Sequence, residues 1–586
     1  MKDSKSRSIG DVPTAPALST ASRIRAVLNR NTVVVACLVA LVPFAWLTYR
    51  FNWIMDDAFI SFRYAKHLAE GHGLRFNVGD MPPTEGYSNF LWVLVLAPFE
   101  LIGRVSPVVS RVISVPCGVV LLWRIARFVK TRLNCSLIPL MFSVLFFATF
   151  PPVAVWSTSG LAAIPYALLI FLTFEFVLGG RQAPRGLAGG TMCALLILIR
   201  ADGVIWVAAM IALAALNALV KRDKAGFEAI GVCAGLAAMT LFALTVFRLV
   251  YFGHPLPNTV YAKVGLSAVS LIRGLRYVGR LLLAFPHLVL ILAAASAVVV
   301  RDRRALTVGH QVALMAACAL VHPILVGGDW MPMWRFLVPA TPFVAILLAM
   351  LIQRMVVRPP VAVGCGIGVI VLSLLPAYNV HVVPPALREK LRASGKAQYN
   401  EYERWSRQHG LAEELTVLGR ALGKHTKPGE SLIAGSIGAV SYYSELFIYD
   451  TVGLVNAEVA HRRPRRGARP GWFSKRVNPT FFLKYRPTYY WANLTDLLKS
   501  GKRNLKPGSR IPIGSTSTRI PGIYPVEAQA MYERIGIPLA PTDGSSPTKL
   551  VVLYVQRGGP YALPRHERAP GQKPSRSDVR NDPAIP

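Results

Sequence analysis

A dozen apolar runs between residues 33 and 378 constrain this chain more than any other feature of its sequence. They cover approximately 33–49, 88–102, 107–123, 136–150, 160–179, 186–199, 203–220, 228–250, 281–300, 309–326, 335–354 and 361–378. A helix rises 1.5 Å per residue, so about 20 apolar residues cross the hydrocarbon core of a bilayer. Composition agrees with a membrane solvent: 53% of the 586 residues are hydrophobic and only 16% are charged. A soluble chain of this length needs a larger polar share to cover its surface.

The few charges are strongly unbalanced, with 65 Lys and Arg against 30 Asp and Glu, a net charge of +35. Nucleic-acid binders reach such a charge without a dozen apolar runs, so no nucleic-acid partner is expected. In polytopic proteins Lys and Arg collect in short cytoplasmic loops. The short basic connectors Arg124–Arg132, Arg181–Arg185, Lys221–Lys224, Arg301–Arg304 and Arg354–Arg358 are therefore placed in the cytoplasm. The alternate connectors face outward: 50–87, Trp156–Gly160, Arg200–Asp202, 251–280 and Gly327–Arg335, followed by everything after residue 378. Between two of those outward loops the number of runs is odd. The shortest run, 88–102, is thus expected to be re-entrant or to pack without crossing, which leaves about eleven spans.

The fold class that follows is a polytopic α-helical membrane domain, 33–378, with a C-terminal extracytoplasmic α/β domain, 379–564. Residues 1–32, with Lys2, Lys5, Arg7, Arg23, Arg25 and Arg30, read as a cytoplasmic tail. The first run reads as a retained signal anchor, because no small-residue cleavage site follows it. The soluble domain opens with a polar helical stretch near Lys396–Lys424 and contains strand-like runs at Ser431–Ala434 and Lys549–Val555. Residues 565–586 are polar and Pro-rich, a composition that does not form a core. The seven cysteines, Cys37 to Cys365, all lie in or beside apolar runs and form neither a disulfide framework nor a metal motif.

The outward loops carry the chemistry. The first, 50–87, holds Asp56-Asp57 directly after a span. A pair of aspartates ahead of a helix fits an N-cap. Adjacent carboxylates at a lipid headgroup also serve as general base, as nucleophile or as ligands of Mg²⁺ or Mn²⁺. The loop continues through Arg63, His72, Glu85, Tyr87 and Asn89. Other outward loops add Arg200 and Asp202, then Asn258, Tyr261 and Lys263, then Asp329, Trp330 and Arg335. Taken singly, these fit surface ion pairs and an interfacial aromatic belt. Five polar loops over one bundle make a candidate site.

Asp56-Asp57-Ala58-Phe59-Ile60-Ser61-Phe62-Arg63-Tyr64, followed by Glu85-Gly86-Tyr87-Ser88-Asn89-Phe90-Leu91-Trp92, resembles membrane glycosyltransferases of the GT-C type. The resemblance is to bacterial arabinofuranosyltransferases that use polyprenyl-phosphate arabinose. Supporting motifs are Trp156-Ser157-Thr158-Ser159-Gly160-Leu161, Arg200-Ala201-Asp202-Gly203, Pro257-Asn258-Thr259, Gly327-Gly328-Asp329-Trp330-Met331-Pro332 and Asp450-Thr451-Val452-Gly453-Leu454. The chain departs from the family pattern at Ala162, where an acid is expected. The resemblance implies an inner-membrane enzyme with an extracytoplasmic site, a polyprenyl-phosphate-linked sugar donor and a cell-envelope glycan or surface-protein acceptor. It also implies an essential role for Asp56 and Asp57.

On that basis the catalytic residues are Asp56 and Asp57, and the donor phosphate is held by Arg63, Lys263, Arg335 and His72. Glu85, Tyr87, Asn89, Arg200, Asp202, Asn258, Tyr261, Asp329 and Trp330 bind substrate. No cofactor is required, and a divalent cation at the aspartates stays open. Two rival readings are a transporter or flippase of lipid-linked sugar and a non-catalytic glycan-binding protein. The basic run His461–Arg469 serves the second. No inverted repeat or mid-bundle cluster of ionisable residues favours the first.

Overall fold

A computed structural model describes residues 31–80, 82–180, 182–263, 267–301, 307–384, 400–427, 429–463, 474–496, 506–512, 531–539 and 547–558. Residues 1–30, the tail 565–586, and parts of the 301–304 connector, the 396–424 stretch and the 461–469 run lie outside the described residues.

Apolar composition produces helices wherever the chain enters the bundle, because a helix satisfies its own backbone where water is absent. Seven helices are long and apolar enough to cross a membrane: Thr32–Arg50, Ser106–Arg132, Gly203–Lys221, Lys224–Phe252, Val308–Leu325, Arg335–Met355 and Pro359–Tyr378. Two bent pairs raise the count to as many as nine among the described residues. Leu137–Thr149 and Pro151–Thr158 meet at 51°, where Pro151 and Pro152 interrupt the backbone ladder. Ala268–Ala284 and His287–Arg301 meet at 101°. The expected eleven spans are therefore not established by length and apolarity. Ala163–Gly179 and Gly186–Ile199 are shorter apolar helices.

Phe90–Glu100 behaves differently from the other apolar helices. At its start Asn89 accepts a hydrogen bond from Ser61 (3.1 Å), and at its end Glu100 accepts one from the Tyr442 hydroxyl of the soluble domain (2.7 Å). Both ends face the same side, so this helix packs on the bundle without crossing it. The bundle's other end gathers the basic connectors: Arg132 donates to the Gly179 carbonyl (2.8 Å), and the Ser136 amide donates to Gln353 (2.9 Å).

Beyond the bundle, Glu401–His425 forms a long helix under a six-stranded sheet. The strands are β1 Ser431–Ala434, β2 Phe447–Asp450, β3 Tyr489–Asp496, β4 Ile511–Pro512, β5 Tyr532–Pro538 and β6 Lys549–Gln556, in the order β2-β1-β3-β6-β5-β4. β1 runs parallel to β2, with Ser431 opposite Phe447, and parallel to β3; the other pairs are antiparallel. The parallel β1–β2 pair requires a crossover, supplied by the helix Gly438–Ser444. That helix is wholly buried between the Glu401–His425 helix and the first loop of the membrane domain.

The helix Ala58–Ala69 of that loop also buries His67, whose Nδ1 lies 2.9 Å from the Arg75 carbonyl. Burial, with Arg63 nearby, depresses its pKa to about 3 from 6.5. The unfolded imidazole takes up a proton near pH 6.5 and the folded one only near pH 3. Its contribution to stability is thus present above pH 6.5 and is lost as pH falls toward 3. Thermal melting of the purified protein is expected to weaken across that window. His67→Gln, which keeps a donor toward Arg75, is expected to flatten the slope.

Candidate active site

The strip between the first span and the loop helix is fixed by backbone and indole bonds. Thr158 donates to the Phe51 carbonyl (2.7 Å), Trp53 Nε1 to Val155 (2.8 Å), and the Met55 amide to Ser159 (2.9 Å). Those bonds carry Asp56 and Asp57 to the seam between bundle and soluble domain. Asp57 occupies the N-cap position of Ala58–Ala69, yet its side chain caps nothing. Asp56 turns the other way. Its Oδ1 accepts the Ala439 amide (2.8 Å) and its Oδ2 the Gly438 amide (3.3 Å).

Burial raises the Asp56 pKa to about 6, against the two amide bonds that hold its charge. Asp57 is also raised, first by burial and then by Asp329, while Lys263 and Arg335 oppose the shift. A partly exposed carboxylate, raised but still faced by two cations, is suited to accepting a proton near neutral pH.

Two chambers open on Asp57. The first, about 220 Å³, is lined on the bundle side by Ser61, Tyr87, Asn89, Arg200, Asp202, Lys263, Asp329 and Arg335. The second, about 430 Å³, lies against the soluble domain and is lined by Gln408, Leu411, Leu415, Ser436, Arg476 and Asn493. Asp57, Lys263, Trp330 and Leu454 border both, so the carboxylate stands at the junction.

The first chamber's charges are ordered by ion pairs. Arg200 grips Asp202 with two bonds (2.8 and 3.0 Å), and His322 Nε2 lies 3.0 Å from the same carboxylate. Arg200 and His322 hold Asp202 below the usual carboxylate range despite its burial. Arg335 donates to Asp329 (2.8 Å) and lies over the Phe336 ring at 4.8 Å. The Gly327–Arg335 loop that presents them needs Gly327 and Gly328 at φ +82° and +73°, where Gly328 sits too close to Tyr277 for any side chain. Asn89 is engaged with Ser61. The buried Tyr87 hydroxyl has no hydrogen-bond partner among the described residues.

Five expected site residues stand away from both chambers. Arg63 donates to three backbone carbonyls, of Phe76 (2.6 Å), Ser441 (2.9 Å) and Leu446 (2.8 Å), so its guanidinium braces the loop instead of facing a phosphate. His72 packs edge-on against His67 and lines a separate cleft with Arg63. Glu85 is clamped by Arg248 through two bonds (2.9 and 3.1 Å). Asn258 donates to the Gly453 and Leu454 carbonyls of the soluble domain. Tyr261 lies 4.4 Å from the His461 ring. The remaining expected residues, Asp56, Asp57, Lys263, Arg335, Tyr87, Asn89, Arg200, Asp202, Asp329 and Trp330, are brought together.

Sequence reading missed Arg248, His322, Gln408 and Arg476. The first two carried a signal, being ionisable residues inside apolar runs. Nothing local marks the other two, which reach the chamber only through the soluble domain's fold. Among the described residues no group of three or more His, Cys, Asp or Glu is placed to hold a metal ion. Each Asp56 oxygen accepts one amide of the soluble domain.

A family model described as a domain of unknown function (DUF8728) matches residues 400–543, the helix and much of the sheet of the soluble domain. No curated protein matches the chain. Among solved structures, ArnT from Cupriavidus metallidurans bound to undecaprenyl phosphate is 12% identical, with a TM-score of 0.48, covering 91% of this chain and 99% of that chain. The apo structure of the same protein is also 12% identical, with a TM-score of 0.47, covering 89% and 97%. At this similarity the likeness carries no argument, and the functional reading rests on the site and on the sequence motifs.

The Glu85–Arg248 pair generates a stability prediction. Its side chains are only 2% and 5% exposed, so removing one partner strands a buried charge. Arg248→Ala is expected to cost about 3–5 kcal/mol, and Arg248→Met with Glu85→Gln much less than the two single changes together. Melting temperatures of Arg248→Ala, Arg248→Met, Glu85→Gln and the double variant in one detergent measure this.

Proposed function

We propose that the chain is a GT-C type glycosyltransferase that moves a sugar from a polyprenyl-phosphate donor to an acceptor outside the cytoplasm. Arabinofuranose is the donor sugar favoured by the sequence resemblance, with a cell-envelope glycan or surface protein as acceptor. The observation that carries this reading is Asp57 at the junction of two chambers, one on the bundle side where Lys263 and Arg335 face it and one against the soluble domain. A transferase needs this arrangement, because donor and acceptor must approach one carboxylate from different sides. The outward orientation comes from the basic connectors at the opposite end of the bundle.

In the proposed step the acceptor hydroxyl, in the second chamber, loses its proton to Asp57 as its oxygen bonds to the anomeric carbon. The bond from that carbon to the phosphate oxygen breaks, and its electron pair leaves with the polyprenyl phosphate. Lys263 and Arg335 hold the departing anion by charge-assisted hydrogen bonds. Arg200 commits both Nε and Nη2 to Asp202, whereas Arg335 gives only Nε to Asp329, so Arg200 serves better to orient Asp202 toward a sugar hydroxyl. Tyr87, whose buried hydroxyl has no hydrogen-bond partner among the described residues, lines the same chamber. The leaving group is a stable phosphate anion, so the step needs no metal.

The rival transporter reading lacks a pathway, since the charged residues of the site lie at one end of the bundle. A glycan-binding protein without chemistry gives no reason to leave a carboxylate uncapped and facing two cations.

Transfer from synthetic polyprenyl-phosphoryl-arabinofuranose to an acceptor panel tests the proposal. Asp57→Asn is expected to lower kcat by roughly 10²–10⁴-fold. Lys263→Ala and Arg335→Ala are each expected to weaken donor use by about 10–100-fold in kcat/KM. Activity is expected to survive EDTA. Transfer by Asp57→Asn at the wild-type rate would sink the mechanism, and transfer only from other donors would correct the sugar.

A further inference from the structure

Asp56 adjoins Asp57 in the chain, but both of its oxygens are committed to the soluble domain. They accept the amides of Gly438 and Ala439 at the start of the crossover helix Gly438–Ser444. The approach leaves no space at position 438: an added Cβ would stand 1.8 Å from the Asp56 carbonyl oxygen and 2.8 Å from its Oδ1. Further bonds hold the same helix. Ser441 accepts from Arg63 (2.9 Å), Tyr442 donates to Glu100 (2.7 Å), and Lys66 meets Glu445 just past the helix end (2.5 Å). Asp57, by contrast, makes no side-chain hydrogen bond recorded among the described residues, so its aim depends on the backbone that carries it.

That backbone is pinned at two points. On one side the Met55 amide donates to Ser159 of the bundle; on the other, Asp56 is latched to the soluble domain. We infer that Asp56 is a positioning residue, whose latch on Gly438 and Ala439 docks the soluble domain and sets the carboxylate of Asp57 at the chamber junction. This role rests on the proposed transfer reaction, and it separates two aspartates that the sequence presents as equivalent. It also makes the soluble domain part of the catalytic apparatus, because both side-chain bonds of Asp56 go to the crossover helix. A misplacement of about 1 Å in a catalytic group costs on the order of a hundredfold in rate.

Two readouts on the full-length protein test the inference, one independent of the reaction. In hydrogen–deuterium exchange, Asp56→Ala is expected to speed exchange of the Gly438 and Ala439 amides roughly tenfold, as loss of a capping carboxylate does. In the transfer assay Asp56→Ala is expected to lower kcat by about a hundredfold with little change in donor KM. Asp56→Asn keeps one acceptor oxygen for Ala439 and is expected to return to within about tenfold of wild type. Asp57→Asn recovers nothing. Gly438→Ala leaves both aspartates intact and is expected to reproduce the kcat loss of Asp56→Ala.

If Gly438→Ala does not fold, the comparison of Asp56→Ala with Asp56→Asn decides alone. Unchanged exchange in Asp56→Ala overturns the latch. Asp56→Asn as inactive as Asp57→Asn, with the two amides still protected, makes Asp56 catalytic and overturns the positioning role. Should no donor be transferred by wild type, the proposed function fails while the exchange result still decides the latch.

Discussion

Arg63 is buried to 2% exposure where the first loop meets the soluble domain, and the arrangement of both depends on it. A guanidinium taken out of water is costly unless its donors are used. Here three of them reach backbone carbonyls, one on the loop at Phe76 and two on the soluble domain at Ser441 and Leu446, with the Phe76 ring 4.6 Å away. Because each bond spans a different segment, the charge is satisfied only when all three are assembled. Asn77 adds a reciprocal pair of bonds with the Ile448 backbone on β2 (3.0 and 2.9 Å). Loop and soluble domain are thereby joined as one body, and the second chamber acquires fixed walls.

The same constraint explains where irregular backbone is found. Inside a bilayer only regular helix leaves no polar group unsatisfied. The breaks at 51–57, 200–202 and 327–335 sit at one end of the bundle, packed against protein. There the Gly327–Arg335 loop is tied by Trp156 to the Met333 carbonyl (2.8 Å), by its Met333 amide to Glu401 (2.8 Å), and by Arg404 to the Trp330 carbonyl. Glu401 also pairs with Arg280 (3.3 Å), so the helix Glu401–His425 reaches both the site loop and a surface helix of the bundle. Polar residues concentrate where backbone must leave the helix, and a site arises at that seam.

Motif reading found ten residues that border the chambers, and it found them because polar groups in short gaps between apolar runs have few other uses. It treated Arg63, Glu85 and Asn258 as ligand-binding for the same reason. Each is polar, outward and set in a distinctive motif, and each is instead consumed by a partner hundreds of positions away or in another span. Arg248 lies 163 residues from Glu85, and Ser441 lies 378 from Arg63. Local pattern cannot register such pairings. Length has the same weakness as a signal, since the Phe90–Glu100 helix is as apolar as a span and differs only in where its ends are tied.

Hydrophobicity and charge asymmetry, which are sums over local composition, determined by themselves that this is a polytopic membrane protein with a soluble C-terminal α/β domain. The alternation of basic connectors with acid-bearing loops also located the end of the bundle that carries the site. Only tertiary structure decided which of two adjacent carboxylates remains free. Asp56 and Asp57 are the same residue type, one peptide apart, on the same loop. What separates them is the direction each side chain takes, one into two amides of a distant helix and the other into open chambers. That direction is set by contacts that exist only after the soluble domain has docked.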